Sequence, residues 1–293
     1  MSSCRNKCPV FMWLGLLAAM SLLLLPPRAS ATEFEASTAP DSKYLLKIYP
    51  RFFYTSAYFA DDGRARNLEN LSGLFYFELP IQVQYGITGA FSIGAILPVG
   101  WAYQEEDDRL ASVDRVAVRD MWLTFQYRWL TFPFVSASSL RIKVPLADKR
   151  DWEDGIGIGD GQVDILPAYH FDYYNQTRYW YLQMTAGYKY RFKKGSYKPL
   201  DEIKIYTQGG YELFPDLRMR LYLYADLTRF TNGEFPGDNP MFFEHDGNLH
   251  NFGYGVSLWP RPTFRLELTT GGDWSGSNQY RAIRWEIGVT KIL

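Results

Sequence analysis

The sequence predicts an all-β fold, a transmembrane antiparallel β-barrel of about 12 strands with both termini periplasmic. Three observations carry that prediction. Apolar and polar residues alternate with period two in one segment after another from Lys43 onward, short and long connections alternate along the chain, and the chain opens with the pattern of an export signal.

The start carries Arg5 and Lys7, an apolar run from Phe11 to Leu25, then Pro26, Pro27 and the small-residue triplet Ala29-Ser30-Ala31. A basic head, a short apolar core and a small-residue site mark a cleavable secretory signal, and the run falls short of the ~20 residues a spanning helix needs. Cleavage is expected after Ala31. The chain then divides into a signal peptide (1–31), a short periplasmic segment (32–42) long enough to fold into a barrel mouth, and a barrel (43–293). The only cysteines, Cys4 and Cys8, lie ahead of the apolar run, so the mature chain has no disulfide framework, no thiolate metal site and no lipoprotein anchor. Loss of Arg5, Lys7 and Arg28 turns 31 basic against 32 acidic residues into 28 against 32, a net charge near −4 that gives no sign of a nucleic-acid partner.

The clearest strand sets Leu217, Met219, Leu221, Leu223, Ala225 and Leu227 on one face and Arg218, Arg220, Tyr222, Tyr224, Asp226 and Thr228 on the other. One wholly apolar face backed by a charged one separates lipid from water. Met121, Leu123, Phe125, Tyr127 and Trp129 repeat the pattern against Asp120, Thr124, Gln126 and Arg128, as do Trp180, Leu182, Met184, Ala186 and Tyr188 against Gln183, Thr185 and Lys189. The last segment sets Ile283, Trp285, Ile287, Val289 and Leu293 against Arg284, Glu286, Gly288 and Thr290. Short links are expected near Gly86–Ala90, Thr131–Phe134, Tyr174–Thr177, Phe214–Asp216 and Trp259–Pro262. Longer polar links are expected at Ala60–Asn70, Gln104–Asp114, Ala147–Asp160, Lys193–Asp201, Thr231–Asp246 and Gly272–Asn278. Five short and six long links join an even number of strands, with the long loops on the outer side. An exported β-sandwich or lipocalin-like barrel would also alternate, but there the apolar face looks inward and aromatic belts at the strand ends would have no partner.

Chemistry-bearing motifs are few. An outer-membrane lipid hydrolase would place a serine two residues after a histidine; His170, His245 and His250 have none, and Ser275 and Ser277 read as a Gly/Ser turn. No enzyme activity is expected, no cofactor, and no transition-metal centre. The acidic runs Glu105–Asp108 and Asp148, Asp151, Glu153, Asp154 are solvated loops first, and divalent-cation or lipopolysaccharide bridges second. The glycine run Gly155–Gly161 lacks the Gly-Lys-Ser/Thr of a phosphate loop and leads into a strand, so it reads as the exit from an outer loop.

The segments Gly157-Ile158-Gly159-Asp160-Gly161-Gln162-Val163-Asp164, Ala186-Gly187-Tyr188-Lys189-Tyr190-Arg191 and Gly209-Gly210-Tyr211-Glu212 resemble the outer-membrane transporters associated with meta-pathway phenol degradation. The resemblance covers about the middle third of the chain. It implies a barrel of this size and passage of small, often aromatic, compounds; it transfers neither a substrate nor a catalytic residue.

Strand phase directs Lys47, Arg51, Arg128, Arg141, Lys143, Lys189, Arg191, Lys204, Arg218, Arg220, Arg265 and Arg284 toward the lumen, against Glu78, Asp120, Asp164, Asp172, Asp226, Glu267 and Glu286. Arg128, Arg141, Lys143, Lys189, Arg191, Arg218 and Arg220, with Trp122, Tyr206, Tyr222 and Tyr224, are the candidate solute path. The excess of bases predicts a weak anion preference. A narrow or gated channel for small solutes, possessing outer-membrane lipid and lipopolysaccharide as surroundings, is the expected function. A closed structural or adhesion barrel, whose inward charges simply pair across the interior, is the alternative, with a lipid hydrolase third.

Overall fold

Pleated backbone with one apolar edge must bury its free hydrogen-bonding groups somewhere, and in lipid the only escape for strands is closure into a ring. The computed structural model shows that closure. It describes residues 38–59, 64–67, 74–104, 113–146, 162–175, 177–193, 200–214, 218–231, 248–276 and 279–293. The strands are β1 (Tyr44–Ile48), β2 (Arg51–Phe59), β3 (Ala65–Asn67), β4 (Leu74–Gly86), β5 (Phe91–Gln104), β6 (Val113–Val118), β7 (Met121–Leu130), β8 (Phe134–Val144), β9 (Asp164–Asn175), β10 (Trp180–Arg191), β11 (Asp201–Phe214), β12 (Met219–Thr231), β13 (Leu249–Arg261), β14 (Phe264–Gly276) and β15 (Gln279–Ile292). All pairings between them are antiparallel, and β15 returns to pair with both β1 and β2, from Leu45↔Ile292 to Phe59↔Gln279. β1 with β2 and β6 with β7 are broken halves of single staves, and β3 is a short addition to β2, so the closed ring has twelve staves.

Both breaks have a local cause. Proline has no N–H to give to a ladder, and Pro50 interrupts the first stave while Pro80 and Pro98 face each other on β4 and β5. The proline carbonyls still accept from the broken staves: Tyr49 N donates to Pro80 O at 3.2 Å and Arg119 N to Pro98 O at 2.9 Å. On the other stave, β5 pairs Val99 with Val118 but Ile96 with Trp122, which leaves one extra residue at Arg119-Asp120. Such a bulge re-aims side chains, and here it turns Arg119 as well as Asp120 inward.

The outward face is apolar, with Leu223 at 70% and Leu268, Ile283 and Ile287 also exposed. Aromatic pairs ring both ends. Tyr44–Tyr85, Tyr127–Trp129 and Tyr173–Trp180 lie beside the short turns, and Tyr190–Phe192 and Phe252–Trp274 beside the long links.

Two details differ from the sequence reading, and a third was left open by it. The link expected at Gly272–Asn278 is strand as far as Gly276, leaving only residues 277–278 between β14 and β15. Arg218 is an exposed turn residue at φ 45° ahead of β12 and does not enter the lumen, because the chain must reverse there before the strand phase begins. The segment ahead of β1 is packed: Thr38 and Ala39 are fully buried, Thr38 Oγ1 donates to Gly89 O at 3.1 Å, and Ala39 joins Leu45 and Ile292 in an apolar cluster at the short-turn mouth. A Cβ on Gly86 would fall 2.0 Å from Pro40 O, so that approach requires glycine. The signal peptide, both acidic runs and the Gly155–Gly161 run lie outside the described residues.

Candidate functional site

Alternation puts every second residue of twelve staves into one interior, and a charge there is costly unless it finds a partner. At the long-link end, the last residues of β8 and β10 and the first of β9 and β11 form a buried knot. Lys143 Nζ sits 2.5 Å and Lys189 Nζ 3.5 Å from Asp164 Oδ2, and Lys189 Nζ donates to Glu202 Oε1 at 2.8 Å. Arg191 lies 3.9 Å from Asp164 and 3.8 Å from Glu202, and Lys204 reaches Glu202 at 2.9 Å. The Trp122 ring, 6.0 Å from both Lys143 Nζ and Lys189 Nζ, completes the knot.

Midway along, Arg119 Nη1 donates to Glu78 at 2.7 Å and Arg51 Nε to Glu286 at 2.5 Å, with Arg51 Nη1 3.6 Å from Glu78. Arg284 pairs with Asp273 at 3.1 Å, and Asn251 donates to the same carboxylate at 3.0 Å.

At the short-turn end, Arg220 donates to Glu212 at 2.9 Å and lies 4.9, 5.0 and 4.6 Å from the Tyr174, Tyr181 and Trp259 ring centroids. Arg265 pairs with Glu267, which also accepts from Tyr222 Oη at 2.6 Å. The tyrosines lie flat on the wall because glycines stand beneath them. A Cβ on Gly255 would meet the Tyr222 ring at 2.4 Å, and one on Gly253 the Tyr224 ring at 2.4 Å. Tyr206 stacks on Tyr224 at 6.0 Å. Arg128 closes this end with a bond to Gly89 O.

The interior therefore collects Trp122, Arg128, Arg141, Lys143, Lys189, Arg191, Arg220, Tyr206, Tyr222 and Tyr224 from the sequence reading and leaves out Arg218. Sequence reasoning missed Glu202, Glu212 and Asp273. All three carried a readable signal, sharing parity with Lys204 or with Arg265 and Glu267 on their own strands. Arg119 carried none, since only the bulge brings it in. With Arg119 in place of Arg218, ten acids face twelve bases among the described residues, against the seven expected. The basic excess is smaller than the sequence implied.

Two histidines meet serines that sequence spacing did not connect: Ser139 and Thr185 flank the buried His170 at 2.8 and 2.9 Å, and Ser275 lies 2.8 Å from His250. Each bond spans neighbouring strands, and both ring nitrogens of His170 face hydroxyls, Nε2 that of Ser139 and Nδ1 that of Thr185. Among the described residues no group of three or more metal-ligating side chains is assembled.

The family model described as "Putative MetA-pathway of phenol degradation" matches residues 51–288. The chain belongs to this family. Among solved structures, an outer-membrane channel from Pseudomonas putida F1 is similar at TM-score 0.71 and 14% identity, over 90% of this chain and 100% of that one. The NanC porin is similar at TM-score 0.51 and 10% identity, over 84% of this chain and 98% of that one. A TodX mutant, a monoaromatic hydrocarbon channel, is similar at TM-score 0.51 and 11% identity, over 86% of this chain and 91% of that one. At such identities the likeness is one of fold, and the fold of this family member is that of an outer-membrane β-barrel. No curated protein matches the chain.

Proposed function

We propose that the chain is an outer-membrane channel that passes small solutes along a narrow polar lumen, reached after export and cleavage behind Ala31. The observation that carries this reading is the two-faced wall: a closed ring apolar toward lipid and lined inside by charged and aromatic side chains that ordinary core packing does not need. The solute class we assign is small and aromatic, supported by the family description and by the rings of Trp122, Tyr206, Tyr222 and Tyr224 along the path. Lys143, Lys189, Arg191 and Arg220 hold their partners across neighbouring staves, so they narrow the bore and select by size.

Purified protein in a planar bilayer should give discrete conductance steps, and the mature chain should begin at Thr32 and fractionate with outer membranes. A silent bilayer would favour the closed barrel, which the extensive pairing of inward charges also fits.

A further inference from the structure

Arg141 is unlike every other inward cation. It points from β8 into the lumen, level with Thr124 on β7 and Leu166 on β9. Among the described residues it makes no hydrogen bond or ion pair, whereas the remaining inward lysines and arginines all have partners. Its Nε is shut off from solvent with no acceptor, and so is the Oγ1 of the buried Thr124 directly across the ladder.

Tyr49 has Arg141, Arg51, Glu78 and Glu286 in its electrostatic surroundings. Both carboxylates there are already engaged, Glu78 by Arg119 and Arg51 and Glu286 by Arg51. Arg119 and Arg51 between them take both acids. Arg119, which the bulge brings inward, holds Glu78, and Arg141 is left without an ion-pair partner among the described residues.

We propose, resting on the channel reading above, that Arg141 and Thr124 form a binding station for the carboxylate of small organic acids. A guanidinium offers planar paired donors that match a carboxylate, and the Thr124 hydroxyl adds a third donor. The surroundings select the rest of the molecule. Leu166 flanks Arg141 in register, and Ile96 opposes Trp122 one pair further along, so an apolar or aromatic body lies against the wall while its carboxylate meets the arginine. An uncharged aromatic loses the ion pair, and acetate loses the wall.

Calorimetric titration of the full barrel in detergent micelles with benzoate, benzamide, acetate and phosphate tests this without requiring conductance. Benzoate should bind at least about tenfold more tightly than benzamide, and Arg141→Gln should lose that same factor. Arg141→Lys should recover part of it, because a lysine keeps the charge and loses the fork. Lys204→Gln, which removes an equal charge from the same lumen, should change benzoate binding less than about twofold. Equal binding of benzoate and benzamide, unchanged benzoate binding in Arg141→Gln, or tighter binding of phosphate than of benzoate would overturn the station. Benzoate binding by a protein that is silent in bilayers would overturn the channel reading alone, and conductance without benzoate preference would overturn the station alone.

Discussion

The two ends of the lumen neutralise buried cations by different means. At the long-link end Lys143, Lys189, Arg191 and Lys204 share two carboxylates, Asp164 and Glu202. At the short-turn end Arg220 has one carboxylate, Glu212, and three aromatic faces. Lysine is a strongly hydrated point charge that depends on anions once water is removed, whereas a guanidinium spreads its charge over a plane that rings can cover. The knot is therefore a cooperative device in which one acid serves several bases, and the box that Tyr174, Tyr181 and Trp259 build around Arg220 is a packed one in which charge is a smaller part of the fit.

The sharpest way to break the comparison is Asp164→Asn. It leaves Lys143, Lys189 and Arg191 short of their shared acid, and should cost about 3–5 kcal/mol in reversible unfolding from lipid vesicles. A loss below that of any change in the box would show that the knot is not cooperative.

Next in size is packing in the box region. Gly255→Ala drives a methyl group into the Tyr222 ring and should cost about 1–3 kcal/mol by the same assay, while Gly272→Ala, whose nearest neighbour is Ala282 O at 3.9 Å, should change little. Equal effects would mean that the tyrosine does not rest on the wall. Smaller again is Glu212→Gln, expected to cost about 1–2 kcal/mol. The three rings remain around Arg220, and the amide oxygen can still accept from Tyr174, which now donates to Glu212 at 2.9 Å.

Most of this architecture was legible because strand phase is a strict period of two. Once Leu221 and Leu223 are read as lipid-facing, Arg220, Tyr222 and Tyr224 must face inward, and they do. Phase fails where a residue is added or a turn takes over. The bulge at Arg119-Asp120 shifts the count by one and delivers an arginine that no alternation marks. Arg218 has the correct parity but lies ahead of the strand, in a left-handed turn. Asp273 fell in a stretch whose glycines and serines read as a loop, though the ladder runs through it to Gly276. The pairing of charges was not legible either, since it depends on which residues of neighbouring staves share a height.

The smallest expected effect, on ion selectivity, joins the two ends. Among the described residues an inward balance of twelve bases to ten acids leaves two positive charges, and a low-dielectric wall focuses what field remains along the path. Paired charges cancel beyond the length of the pair, and salt screens the rest over about 10 Å at 0.1 M, so the knot and the box contribute almost nothing at long range. The field that an ion meets comes from the unmatched Arg141, and native protein should show a weak anion preference in its reversal potential across a KCl gradient. Arg141→Glu reverses one charge, removes the excess and should abolish the preference. Lys204→Gln removes a single charge from the partly exposed rim of the knot and should reduce the preference by no more than half, because Glu202 keeps Lys189 as its nearer partner. A native channel that is clearly cation-selective, or one in which Lys204→Gln outweighs Arg141→Glu, would place the selecting charge in the knot and reverse the assignment of the two regions.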